Sequence, residues 1–190
     1  MAVPSVVFAD ANVLYAPAVR DLLVELALAR VIILRWSQQV HDEWTRALLR
    51  NRPDLPPDRP ASTRAKLDAV LPQASVTGYE HRIDGIELPD PDDRHVVAAA
   101  IEAQCQYILT FNTRDFPAEV LSPHQLTPMH PDLFLATVAV ANPIALVNAA
   151  QISRRDLRDP PYSPADYLAS LADHGLPLTA KALAPFQDQI

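Results

Sequence analysis

Apolar residues along this chain fall into two patterns, short continuous runs and stripes at helical spacing. VVFA, residues 6–9, is a run of the first kind. It ends at Asp10 and suits a parallel strand buried on both faces. From about residue 17 to 29 the apolar positions Leu22, Leu23, Leu26 and Ala27 share one face of a helix. VIIL, residues 31–34, predicts a second strand. Ser37 is placed to cap a helix from Gln38 to about Arg50, which carries Val40, Trp44, Ala47 and Leu48 on one side. The proline-rich stretch NRPDLPPDRP stops it. A weaker helical pattern covers residues 62–71, and residues 83–88 read as a strand or an irregular segment. Asp92 opens a helix to about Gln104 with Val96, Val97, Ala100 and Ile101 inward, and YILT, residues 107–110, is another buried strand. Strands alternating with helices imply a parallel sheet.

From about Pro131 onward the strand patterns stop. Four helical pieces are separated at Asn142-Pro143, at Asp159-Pro160-Pro161 and at Gly175-Leu176-Pro177. SPAD, residues 163–166, has the form of a helix start with proline at the first helical position. The expected division is therefore a domain over residues 1–130 and a helical extension over 131–190. LFLATVAVANPIALVNAAQI, residues 133–152, comes nearest to a membrane span, but Asn142, Pro143 and Asn148 interrupt it. Two buried helices broken at Asn142-Pro143 are expected there.

Composition narrows the class. A chain of 190 residues, 49% hydrophobic with a mean hydropathy near zero, suits one globular domain with a small appendage. Cys105 is the sole cysteine, so no internal disulfide forms, and MAVPSVVFAD lacks the basic start and apolar stretch of a signal peptide. A cytoplasmic location without membrane attachment is expected. A net charge of −7 argues against nucleic-acid binding through a broad basic surface, although Arg46, Arg50 and Arg52 leave room for a local patch. With three glycines there is no Gly-rich phosphate loop. His41, His81, His95, His124, His130 and His174 show no paired metal spacing, and Cys105, Trp36 and Trp44 read as packing residues. His95, read as lying on the exposed side of its helix, is the histidine nearest the candidate chemistry.

That chemistry is carboxylate chemistry. In an open parallel sheet, ligands sit beyond the carboxyl ends of the strands where the strand order reverses. Asp10 follows the first strand, and Asn112 and Asp115 follow YILT in TFNTRDFP. Asp90, Asp92 and Asp93 begin the helix that feeds YILT, which places them on the same edge. Glu43 can reach that edge from the helix after the second strand. Taken singly, each aspartate reads as a helix cap, and Glu43 as the partner of Arg46 or Arg50. Together they need a cation, and hard Mg²⁺ or Mn²⁺ takes such oxygen ligands and activates water against a phosphodiester. Asp93 precedes Val96, Val97 and Ala100 at helical spacing, which favours it over Asp92, with Asp90 a candidate second ligand.

In order, FADANVLYA, HDEWTRAL, PDPDDRHVVAAAI and ILTFNTRDFP resemble the successive motifs of PIN-domain ribonucleases, in particular the VapC-like toxins of bacterial toxin–antitoxin pairs. The resemblance covers roughly residues 5–125. It implies a three-layer α/β/α sandwich around a parallel sheet, with a helical C-terminal extension such as some members carry. It also implies Mg²⁺- or Mn²⁺-dependent endoribonuclease activity, an RNA substrate, a cognate antitoxin protein and frequent homodimerisation. Carried over, Asp10 is the central metal ligand, Asn12 its hydrogen-bonding neighbour, and Glu43 and Asp93 the further acidic residues. The expected site is then Asp10, Glu43, Asp93 and Asp115 for catalysis, and Asp10, Asp93, Asp90 and Asn112 around the metal. Asn12 and Asp92 support it, and Arg46 and Arg114 hold RNA. Asn112 departs from the family, whose last motif often has an acid there. It favours an alternative in which a PIN-like module binds without cutting. A phosphatase or dehalogenase-like hydrolase is the other alternative, disfavoured because Asn12 stands where such enzymes need a second Asp.

Overall fold

The first apolar run becomes β1, Ser5–Ala9, the middle strand of a five-stranded parallel sheet in this computed structural model, which describes residues 4–157 and 160–190. The other strands are β2, Ile32–Ser37, β3, Ser75–Val76, β4, Tyr107–Leu109, and β5, Thr127–Met129. Their order is β3-β2-β1-β4-β5, and every pairing is parallel. Val7 faces Leu34 on one side and Tyr107 on the other, so β1 is flanked along its length. The chain builds outward from β1 to β3 and then crosses back to β4. The order therefore reverses between β1 and β4, and a crevice opens beyond their carboxyl ends.

Helices α1, Ala11–Tyr15, α2, Pro17–Leu28, α3, Gln38–Asn51, α4, Asp58–Val70, α5, Arg94–Glu102, and α6, Ala118–Leu121, join these strands. The result is the expected α/β sandwich with helices at its C-terminal end. Ser37 caps α3 as expected, its Oγ accepting from the Val40 N–H at 3.3 Å. Helix α4 begins earlier than its apolar pattern, inside the proline-rich stretch, because Pro60 falls in the first turn where no N–H is needed. Trp36 and Trp44 are core residues, and the Trp44 indole donates to the buried His41 Nδ1 at 2.8 Å.

The segment at Asp92 departs from expectation. A 3-10 turn over Pro91–Asp93 comes first, and α5 starts at Arg94. From His95 to Ala100 every residue of α5 is buried. The sheet covers one side and the 3-10 turn Glu80–Gly85 another, and three successive alanines let both approach. His95 is consequently 2% exposed, not on an exposed side as its spacing suggested. Beyond α5, Cys105 is buried with its N–H donating to the Ala100 carbonyl at 2.9 Å, and burial pushes its thiol up to about 12.

The C-terminal part holds α7, Pro131–Ala141, α8, Pro143–Asp156, α9, Pro164–Asp173, and α10, Pro177–Leu183. Each starts on a proline, whose fixed φ and missing N–H suit a first turn. The breaks at Asn142-Pro143 and Gly175-Leu176-Pro177 fall as expected. The third involves Asp159, which lies outside the described residues. Helix α8 packs on α2, and α10 packs on α7 and α9. Asp132 on α7 is buried, and its carboxylate accepts from the N–H groups of Leu178 and Thr179 at 2.9 and 2.8 Å and from the Thr179 hydroxyl at 2.8 Å. Helices α7 and α8 are not buried on all sides, since Val140 is 86% and Ile144 77% exposed. Among the described residues, no helix is long and apolar enough to cross a membrane.

The same part leans on the loop after β4. Gly175 adopts φ +84°, and a Cβ there would meet Phe111 Cε1 at 2.9 Å. The His130 ring stands edge-on to Phe111 with centroids 5.0 Å apart.

Candidate functional site

Asp10 is the first residue beyond β1, and its N–H donates to the Leu109 carbonyl at 3.0 Å, which draws the ends of β1 and β4 together. The chain turns at once into α1, so Asp10 also caps that helix, Oδ1 accepting from the Ala11 N–H at 2.6 Å. Oδ2 accepts from Asn12 Nδ2 at 2.6 Å and from the Thr110 hydroxyl at 2.8 Å. Asn12 bridges the two strand ends: its amide also donates to Thr110 Oγ1 at 3.0 Å, and its Oδ1 accepts from the Phe111 N–H at 3.1 Å. Thr110 Oγ1 further accepts from the Asn112 N–H at 3.0 Å. Thr110 is fully buried and was not singled out in the sequence, where it reads as the last residue of a strand.

The acidic segment 90–93 meets this centre from α5. Asp90 Oδ1 accepts from the Asp92 N–H at 2.9 Å, a tight turn that brings Asp93 to the start of the helix half-buried while Asp90 and Asp92 stay exposed. Asp93 is the N-cap residue of α5, but its side chain accepts no capping hydrogen bond. From the β4 loop, Asn112 donates through its side-chain amide to Asp115 Oδ2. Glu43 enters from α3. Its Oε1 lies 2.8 Å from Nε2 of the buried His95, so its partner is neither Arg46 nor Arg50. Arg46 and Arg114 are both exposed, the first on α3 and the second in the 3-10 turn Thr113–Asp115.

These carboxyls act on one another electrostatically. Burial raises the pKa of Asp10, hydrogen bonds from Thr110 and Ala11 oppose that, and Glu43 adds to it. Asp93 is pushed up to about 7, first by desolvation and then by the charges of Asp10, Asp90 and Asp115. His95 pulls both carboxyls back down. The structure thus brings together Asp10, Glu43, Asp90, Asp93 and Asp115, with Asn12 and Asn112 as amide partners. Asp92 contributes its backbone. The donor set consists of hard oxygens whose crowding favours a divalent cation, so the residues fit Mg²⁺ or Mn²⁺ in kind. Among the described residues, no three His, Cys, Asp or Glu side chains stand close enough to form a ready-made cage.

A family model described as PIN domain matches residues 6–114, more than half of the chain. The chain belongs to the PIN domain family. A second model, described as VapC50 C-terminal domain, matches residues 131–185, which span α7 to α10 of this PIN protein. The chain is 35% identical over 99 residues to the Mycobacterium tuberculosis (strain ATCC 25618 / H37Rv) protein named "Putative ribonuclease VapC50", a match that takes in 47% of this chain and 53% of that one. The chain thus spans about half the length of this curated relative. No solved structure matches it.

Local pattern gives no sign of Thr110 at this centre, and it gives His95 the wrong side of its helix. Thr110 lies between two motifs and looks like strand. Helical spacing points His95 outward, a rule that fails on a helix covered from more than one side.

Proposed function

We propose that this PIN protein is a Mg²⁺- or Mn²⁺-dependent endoribonuclease and the toxin of a toxin–antitoxin pair. The observation that carries the nuclease reading is the convergence of Asp10, Glu43, Asp93 and Asp115, from four separate segments, on the edge where the strand order reverses. Asp10 and Asp93 would hold the cation, with Asp90 at the rim and Asn112 beside Asp115. The bound cation would supply charge neutralisation for the scissile phosphate and a more acidic water. Asn12 and Thr110 hold Asp10 in one orientation. Glu43, whose Oε1 lies 2.8 Å from His95 Nε2, would take a proton from the attacking water. Arg114 lies on the β4 loop, where it can contact the RNA backbone. Residues 1–130 would form the nuclease domain and 131–190 the helical extension, a division supported by the gap between the two family matches.

Purified protein incubated with structured RNAs and Mn²⁺ should cleave them, EDTA should stop cleavage, and Asp10→Asn should abolish it. Equal cleavage in EDTA would remove the metal, and full activity of Asp10→Asn would remove the site. The pairing with an antitoxin rests on family resemblance. Expression should arrest growth, and co-expression of a small neighbouring reading frame should relieve the arrest. A second reading, binding of RNA or antitoxin without cleavage, is favoured by the absence of a ready-made carboxylate cage among the described residues. Calorimetry with Mn²⁺ separates the two, since a module without catalysis has no need of the ion.

A further inference from the structure

Beside the acidic centre a groove of about 450 Å³ runs between α1 and α3. We infer that this groove is a subsite for one nucleotide of single-stranded RNA, next to the phosphate that is cut. The inference rests on the ribonuclease reading above and adds the residues that would hold the substrate there. Its lining includes Asn12 and Glu43, which belong to the acidic site, together with Tyr15, Arg46, Arg50 and Asn51. Both arginines are exposed and four residues apart, so they project from one face of α3. Among the described residues neither has a carboxylate at ion-pair distance, whereas Arg52 is paired with Asp54 and Arg64 with Asp42. In a chain of net charge −7, two uncompensated guanidinium groups bordering an acidic centre mark where a polyanion is held.

The remaining lining suits a base. Tyr15 is half-buried, and its hydroxyl accepts from Asn51 Nδ2 at 3.3 Å, an interaction that steadies the ring and leaves the Asn51 carbonyl oxygen for a base edge. An aromatic face accepts any unstacked base, while duplex RNA keeps its bases stacked and its major groove closed to side chains. Phosphates on Arg46 and Arg50 and a base on Tyr15 would lead the strand past Asn12 to Asp10. A protein segment is the competing occupant. The pair of free arginines beside a tyrosine favours the nucleotide on charge.

Binding can be read apart from cleavage in the Asp10→Asn background, by fluorescence anisotropy of a short labelled single-stranded RNA and of the same strand in a duplex, over a range of salt. The single strand should bind more tightly. Arg46→Gln with Arg50→Gln should weaken binding and flatten the dependence of log affinity on log salt by about 1.4, roughly 0.7 for each phosphate that the protein no longer neutralises. Tyr15→Leu should lose roughly tenfold or more in affinity, and Tyr15→Phe should keep it, because stacking needs the ring and not the hydroxyl. Melting curves check that each variant folds. Unchanged affinity and salt slope in the arginine pair, with RNA still cut by the wild type, would overturn the subsite, leave the nuclease intact and assign the groove to a protein partner. Equal affinity for the duplex would overturn the single-strand preference. Wild-type protein that neither binds nor cuts RNA removes the function and the subsite together.

Discussion

The Thr110 hydroxyl is donor to Asp10 and acceptor from both Asn12 and the Asn112 backbone, so one atom fixes the ends of β1 and β4 relative to each other. Thr110→Val keeps the shape and removes that atom. It should cost about 1–3 kcal/mol in a urea melt, because buried polar partners lose a hydrogen bond, and it should slow RNA cleavage as Asp10 loosens. Asp93 gives a pH signature. Its carboxyl is raised in the folded protein from 3.8 to about 7, so it favours folding when protonated, and that contribution is lost as pH rises through about 7. The melting temperature in EDTA, followed from acid to mildly alkaline pH, should therefore carry a falling component between about pH 4 and pH 7 that is missing in Asp93→Asn. Above pH 7 the variant should be the more stable, and Mn²⁺ should stabilise the wild type more than the variant. An Asp93→Asn protein that melts lower at every pH would mean the carboxylate is a helix cap. Asp10 and Asp93 could be read in the sequence because strand ends and helix starts announce themselves in hydropathy. Thr110 could not, nor could the burial of His95 against Glu43, because what makes them matter is which atoms from distant segments end up beside them.

At the level of elements, Asp132 holds two helices together. Its carboxylate satisfies two free N–H groups and the Thr179 hydroxyl at the start of α10, forty-odd residues away in the chain. Asp132→Ala leaves the Thr179 N–H and hydroxyl buried without this partner and should destabilise the protein by about 2 kcal/mol, measured by chemical unfolding. Leu133→Ala, next to it but exposed, serves as the control. Strands β1 and β4 were legible as continuous apolar runs, and β2 from its apolar first half, although it continues through Arg35 and Trp36 to Ser37. Strands β3 and β5 were not. Two residues in one and TPM in the other carry no hydropathy pattern, and Pro128 argues against a strand except at a sheet edge, which is where β5 lies. Helix α1 was missed for a similar reason: five residues give little more than one turn in which to show a face.

Across the whole molecule, the helical extension and the sheet behave as neighbours that share a wall. Helix α8 covers α2, and the turn at Gly175 closes on Phe111, whose N–H is bonded to Asn12. The four helices were foreseeable from their prolines; their docking was not, since nothing in local spacing says which face meets which. Cys105 offers a clock for how this assembly breathes. Its thiol is buried, resists ionisation and sits on the turn between α5, whose start presents Asp93, and β4, which ends at Leu109, one residue before Thr110. Only the thiolate is reactive, so an alkylating reagent must wait for that turn to open. With one cysteine in the chain, each labelling event is unambiguous. Mass spectrometry of timed iodoacetamide reactions should show labelling far slower than for the unfolded chain in urea, and slower again once Mn²⁺ ties α5 to the ends of β1 and β4. Labelling at the free-thiol rate would mean that the turn is open to solvent. The ratio of the two rates measures, at a single sulfur atom, how often the helix that follows Asp93 parts from the strand beside it.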